Sequence, residues 1–298
     1  MKCDEKVVAT GVSQGRLMLF IIELCGEDYF CKKAVNFGGI GKFAIHSIIN
    51  FENSVYLADS YNNKIYKYDY ILNEIQETTV GRDPRHMFID NDVMYVANFE
   101  SDNISVIDLS NFTLTESIPA GIKTHDVVLS ENKKMLYTTS YEENEVIEYN
   151  LENENKKHFK TDGKPMHLYL SGNNIIVMTY FVNGIVHTKI NFIDIETGNI
   201  DTVIEIDGLA SDFSIDNEHN MLYVINIVDK SLYVIDISNK EIIKKIYLGG
   251  YPESLTVGEK KIYVTNSKKC QIASIEKEGL YISKIIDLQF VPDCIKVI

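Results

Sequence analysis

Apolar residues in this chain come in runs of three to six, rich in Ile, Val, Tyr and Phe and separated by polar clusters. Branched and aromatic side chains in short runs pack well on a pleated surface, so the pattern predicts strands. One strand type recurs: Val7-Val8-Ala9-Thr10, Tyr56-Leu57-Ala58-Asp59, Tyr95-Val96-Ala97-Asn98, Tyr137-Thr138-Thr139-Ser140, Ile176-Val177-Met178-Thr179, Tyr223-Val224-Ile225-Asn226 and Tyr263-Val264-Thr265-Asn266. The fourth residues of these units lie 49, 39, 42, 39, 47 and 40 apart. A second strand follows each, ending at Glu23, Asp69, Asp108, Asn150, Asp194, Asp236 and Glu276. In five of the seven units the two end marks are 10 residues apart, which predicts a hairpin of fixed length repeated along the chain.

A third mark precedes the strand pairs: Gly81-Arg82-Asp83-Pro84, Gly121-Ile122-Lys123-Thr124, Gly163-Lys164-Pro165, Gly208-Leu209-Ala210 and Gly249-Gly250-Tyr251-Pro252. Glycine and proline there turn the chain from the outer strand of one unit to the inner strand of the next. The last copy, from Gln289 to Val297, holds an inner strand only, and residues 6–36 hold a unit that lacks one. The prediction is an all-β chain: a seven-bladed β-propeller of four-stranded antiparallel blades, closed by the C-terminal strand joining the N-terminal blade. It is read as a single domain over 1–298, with a split blade (6–36 plus 289–298) and full blades at about 40–80, 81–120, 121–160, 161–207, 208–248 and 249–288. The Gly-x-x-Pro, Tyr-Val-x-Asn and Ile-x-Val-Ile-Asp elements together resemble the YVTN-type (YncE-like) β-propeller family over nearly the whole chain. That resemblance implies a structural repeat and carries no reaction with it.

Composition narrows the classes. No window of about 18 apolar residues exists, so no membrane span is expected. The first residues lack a basic region followed by an apolar stretch, which points to a cytoplasmic protein. The net charge of −14 argues against nucleic acid as a partner. The charge is uneven: residues 239–298 carry ten Lys against seven acidic residues, while the remainder is strongly acidic. Cys3, Cys25, Cys31, Cys270 and Cys294 form no zinc-type pairs. Cys25 and Cys31 flank a hairpin turn and are read as reduced strand cysteines.

In each blade the first strand is expected to start at one face and line a central channel. The second residue after the Pro or its equivalent then reads Ser47, His86, Asp126, His167, Asp212, Ser254 and Cys294. The residues one and three places further on are apolar and must pack between blades, so this position looks the other way, toward the channel. His46 and His125 stand one place earlier, at the rim, so four of the seven histidines fall in one band. Imidazole and carboxylate suit either a divalent metal, with His86, Asp126, His167 and Asp212 as ligands, or acid–base chemistry. Hydrogen bonds between blades would satisfy the same groups without any ligand.

Aromatics at Tyr61, Phe99, Tyr141, Tyr180 and Phe181 follow the second strands of four successive blades, and the fourth full blade has a longer hairpin, 15 residues between marks. Aromatic walls with a few polar groups make ligand sites and protein contacts. No nucleophile elbow, phosphate-binding loop, His-Glu-x-x-His or EF-hand pattern is present, so no catalytic residue is assigned. The leading expectation is a binding module for a protein, peptide or small-molecule ligand, with no cofactor required. The rival is a metal-assisted lyase or hydrolase at the same His/Asp cluster.

Overall fold

The computed structural model describes residues 5–25 and 28–298, and every regular element among them is a β-strand. The split blade contains β1 (Glu5–Ser13), β2 (Arg16–Cys25) and β3 (Asp28–Asn36). The next blades are β4 (Ile45–Phe51), β5 (Ser54–Asp59), β6 (Lys64–Asp69) and β7 (Glu74–Thr79); then β8 (Pro84–Asp90), β9 (Val93–Asn98), β10 (Asn103–Asp108) and β11 (Thr113–Pro119). They are followed by β12 (Val127–Leu129), β13 (Met135–Ser140), β14 (Glu145–Asn150) and β15 (Lys156–Lys160), and by β16 (Lys164–Ser171), β17 (Asn174–Asn183), β18 (Ile185–Asp194) and β19 (Ile200–Asp207). The last full blades are β20 (Ala210–Asp216), β21 (Met221–Asn226), β22 (Ser231–Asp236) and β23 (Glu241–Tyr247), and β24 (Pro252–Val257), β25 (Lys261–Asn266), β26 (Gln271–Glu276) and β27 (Tyr281–Asp287). β28 (Pro292–Val297) pairs antiparallel with β1, so each of the seven sheets has four strands and the chain is a seven-bladed β-propeller.

The recurring Asp or Asn at the strand ends has a plain physical job. The Oδ1 atom of Asp59 accepts from the Tyr61 and Asn62 amides, and that of Asn226 from the Val228 and Asp229 amides. At the opposite end of the hairpins, Asp69 and Asn150 cap Ile71–Leu72 and Glu152–Asn153 in the same way. These are Asx turns, in which a short side chain takes the place of a backbone acceptor. In the five blades with the 10-residue spacing, the fourth residue after each mark is left-handed: Asn63, Asp102, Asn144, Lys230 and Cys270 at one end, Asn73, Phe112, Glu154, Lys240 and Leu280 at the other. A four-residue capped turn followed by a six-residue strand reproduces the spacing of 10. The glycine mark is there for close approach: a Cβ on Gly81 would lie 2.7 Å from the Asn98 side chain.

Contacts along the chain group into two compact units, residues 51–207 and residues 1–50 with 208–298. Within the first, Val127 and Leu129 pack with Ala97, Ile104 and Leu136, while Leu168 packs with Tyr137, Phe159 and Val177. Within the second, Leu255 packs with Ile225, Leu232 and Ile275, and Ile295 with Val7, Ala9, Ile22 and Tyr263. The residue after each of Asp126, His167, Ser254 and Cys294 is therefore core, as strand alternation allows. Glu5 pins the chain start to the neighbouring blade, accepting from Tyr263 Oη and the Glu259 amide, both at 2.5 Å.

The longer hairpin is made of strand rather than loop: β17 and β18 each run 10 residues and turn at Gly184. In the split blade, Cys31 stands opposite Ile22 and Cys25 opposite Asp28. Cys31, Cys270 and Cys294 are free thiols, and the Cys25 side chain lies outside the described residues. Among the described residues no helix is long and apolar enough to cross a membrane.

Candidate functional site

The second residue after the Pro or its equivalent coincides in four blades with a break in the strand ladder. Register shifts fall between Pro84 and Met87, Pro165 and His167, Ala210 and Asp212, and Pro252 and Leu255. A bulge at this point turns the side chain out of the ordinary pleat, a device frequent beside functional sites. Where β12 would begin, threonine replaces the ladder. Thr139 Oγ1 accepts from the His125 and Asp126 amides at 2.9 and 3.0 Å, and Thr138 Oγ1 donates to the Asp126 carbonyl at 3.0 Å. β12 is thus only three residues long, and His125 and Asp126 are fixed just before it.

Within residues 51–207 this brings three imidazoles and a carboxylate together. The His86 and His167 rings are 4.5 Å apart and near perpendicular, and the His125 ring lies 5.0 Å from each. His125 Nδ1 is 3.0 Å from the Met166 carbonyl, a contact in which the ring N–H donates. Asp126 Oδ1 accepts from the Val127 amide at 2.8 Å; Oδ2 accepts from the Leu168 amide at 3.1 Å and lies 3.7 Å from His167 Nδ1. The cluster is recessed: His125, His167 and Asp126 are 1%, 5% and 8% exposed. Burial pulls the pKa of His86 down to about 3, against the attraction of Asp126, so its imidazole is neutral at physiological pH. Burial opposes the charge of Asp126, but the His86 and His167 rings and the Leu168 amide outweigh it and hold the carboxyl below the usual range.

Phe99 and Tyr141 close one side. The Phe99 ring meets His125 edge-on at 6.1 Å and Tyr141 at 5.7 Å. Arg85 and Lys123 lie over Phe99, and Lys164 over Tyr141, at 4.5–5.5 Å. Tyr180 is on β17 opposite Lys164, while Phe181 belongs to the hairpin extension, opposite His187 with Lys189 over its ring. The tip of that extension exposes Val182 and Ile185. Tyr61 is exposed at the turn after β5.

His46 is half-buried on β4, in the unit formed by residues 1–50 and 208–298. Asp212, in the same unit, has polar neighbours of another kind. Its Oδ2 accepts from Ser254 Oγ at 3.1 Å and from the Leu255 amide at 3.0 Å. Lys296 is near enough to feel its charge, though burial still pulls the lysine's pKa down. Two acids missed by the sequence reading flank this region. Burial, with Glu253 close by, pushes Asp293 up to about 7, and burial likewise raises Glu253. Both occupy the rim position that His125 occupies in its blade, and that shared position was the available signal. The split blade, which looked plain in sequence, also carries a pocket of about 380 Å³ lined by Phe20, Ile22, Cys31, Leu288 and Phe290. The two phenylalanine rings there are stacked.

No protein-family profile matches the chain, and no curated protein matches it by sequence. Solved structures do match in fold. A functionally unknown protein from Desulfotomaculum acetoxidans aligns over 99% of both chains with a TM-score of 0.75 and 11% identity. A putative 6-phosphogluconolactonase from Bacteroides fragilis aligns over 99% of this chain and 98% of its own, with a TM-score of 0.73 and 14% identity. AztD from Citrobacter koseri, in its apo form, aligns over 98% and 97% with a TM-score of 0.65 and 12% identity. At such identities the likeness is one of fold, and the names these proteins carry differ too widely to imply one activity.

Proposed function

We propose that this propeller is a small-ligand-binding module whose ligand sits on His86, His125, Asp126 and His167 beside Phe99 and Tyr141. One observation carries the reading: three imidazoles and a carboxylate from three consecutive blades converge in a recess walled by aromatic rings. Their low exposure favours a small ligand over a protein or peptide surface, since a flat partner reaches only the rim. The repeat motifs support a YVTN-type (YncE-like) relationship, in which the blades are scaffold and the site is specific to each protein. The free thiols of Cys31, Cys270 and Cys294 support a reducing, cytoplasmic setting.

Ligand-observed NMR with a library of small carboxylates, phosphates, amines and divalent cations tests this directly. A hit on the wild type should weaken at least about tenfold with His86→Ala and with Phe99→Ala. Equal binding by all three proteins would remove the ligand from this recess. The metal-assisted lyase or hydrolase uses the same side chains and is favoured by the 3.7 Å approach of Asp126 to His167, an acid–imidazole pair suited to proton transfer. It differs in requiring chemical change, so new product resonances in the same samples would select it over simple binding.

A further inference from the structure

We propose that His86, Asp126 and His167 form a site for a divalent transition-metal ion of the Zn²⁺ type; this rests on the binding reading above and names the ligand. One donor atom from each residue lies within 4.8 Å of the other two. Tetrahedral zinc, with bonds of about 2.0–2.1 Å, separates its ligand atoms by about 3.3 Å. The Asp126 Oδ2 to His167 Nδ1 distance of 3.7 Å is already close to that. The 84° angle between the His86 and His167 rings lets both planes point at a common centre, as stacked rings would not.

The chemistry of the set selects the metal. Two imidazoles and one carboxylate suit Zn²⁺, Co²⁺, Ni²⁺ or Cu²⁺, whereas Ca²⁺ and Mg²⁺ prefer all-oxygen shells. The carboxylate is held from behind by the Val127 and Leu168 amides, the kind of outer support that orients metal ligands. Three protein ligands leave a fourth position for water or a ligand group. His125, with Nδ1 turned to the Met166 carbonyl, forms a wall of the site.

A second grouping of similar composition offers an internal contrast. Asp216, Glu218 and His219 also place donor atoms within 4.8 Å of one another. There, however, Asp216 Oδ2 accepts from Lys277 Nζ at 2.7 Å and contacts His219 Nδ1 at 2.9 Å. An ammonium already occupies the place a cation would take, and a metal would have to displace it. Among the described residues, the Asp126 carboxylate has its ion-pair contact with His167 rather than with a lysine or arginine.

The test is calorimetric and spectroscopic titration of chelator-treated full-length protein with Zn²⁺ and Co²⁺. The expected result is one tightly bound ion per chain, with Co²⁺ giving the visible absorption of a four-coordinate site. His86→Ala and His167→Ala should each weaken binding at least about 100-fold. His219→Ala should leave it unchanged. His167→Cys should restore binding and add a sulfur-to-cobalt charge-transfer band, a signature that a merely misfolded variant would not produce. Absence of stoichiometric binding, or undiminished binding by both alanine variants, overturns the metal site. If metal fails while an organic ligand still binds in a His86-dependent way, the binding reading survives without the metal; if neither binds, both fall.

Discussion

Asp126 and Asp212 occupy the same position in two different blades, and they make the same bond. Each carboxylate accepts from the backbone amide one residue past the equivalent position of the next blade: Leu168 at 3.1 Å for Asp126, Leu255 at 3.0 Å for Asp212. Threonine supports both regions alike, Thr139 holding the His125 and Asp126 amides and Thr265 the Ser254 amide. What differs is the company. Asp126 sits among imidazoles, Asp212 beside a serine hydroxyl, with Lys296 near enough to feel its charge. The aspartate is therefore a blade-to-blade tie first, and its neighbours decide whether it can also hold a ligand.

The largest test of this comparison is removal of the tie. Asp126→Ala leaves the Leu168 and Val127 amides without their acceptor in a buried site and should cost about 3–5 kcal/mol in urea unfolding. Asp212→Ala, at a less buried position, should cost about 1–2 kcal/mol. Equal costs would mean that the imidazoles contribute nothing to the environment of Asp126.

A pH titration separates the regions next. Asp293 has a folded pKa of about 7, above that of an unfolded aspartate, so the folded state binds more protons between roughly pH 4 and pH 7. Stability should accordingly fall as pH rises through that window. The loss should be about 2–4 kcal/mol, allowing for the residue's partial contact with water. Asp293→Asn should flatten the curve and raise the melting temperature most above pH 7. A curve of unchanged slope in this variant would assign the pH dependence elsewhere.

Thr139→Val, nearly the same shape without the hydroxyl, should cost about 2 kcal/mol by orphaning two amides, and Thr265→Val about 1 kcal/mol for one. Thermal unfolding of the two variants side by side checks the ranking. The smallest effect belongs to Phe99→Ala, whose ring carries Arg85 and Lys123 at the rim: at most about 1 kcal/mol of stability, with the change read instead in ligand affinity.

The blades were legible because their signals are local. An Asp or Asn four residues before a left-handed turn residue, a glycine beneath it and a six-residue strand all sit within one short segment. The band of His86, His125 and His167 was visible for the same reason. Less could be read of how that band is held. The bulges before Met87 and His167 begin at Pro84 and Pro165, which read in sequence as turn marks rather than register shifts, and β12 is shortened by threonine hydroxyls that any strand could carry. The raised acids Glu253 and Asp293 depend on neighbours about 40 residues away, so their burial had no local signature. The pocket beside Phe20 and Phe290 likewise joins the two ends of the chain.

The capped turns have a consequence for how such a chain can change. Many of these turns are specified by the last residue of the preceding strand and by a backbone twist four places on, with the residues between them donating their amides. Some side chains at those intervening places, such as Ile71 and Leu72 after β6 or Val228 after β21, are largely exposed. The chain thus keeps a set of positions that can be randomised together. A library confined to them would explore new surfaces on an unaltered scaffold, and natural drift has the same freedom.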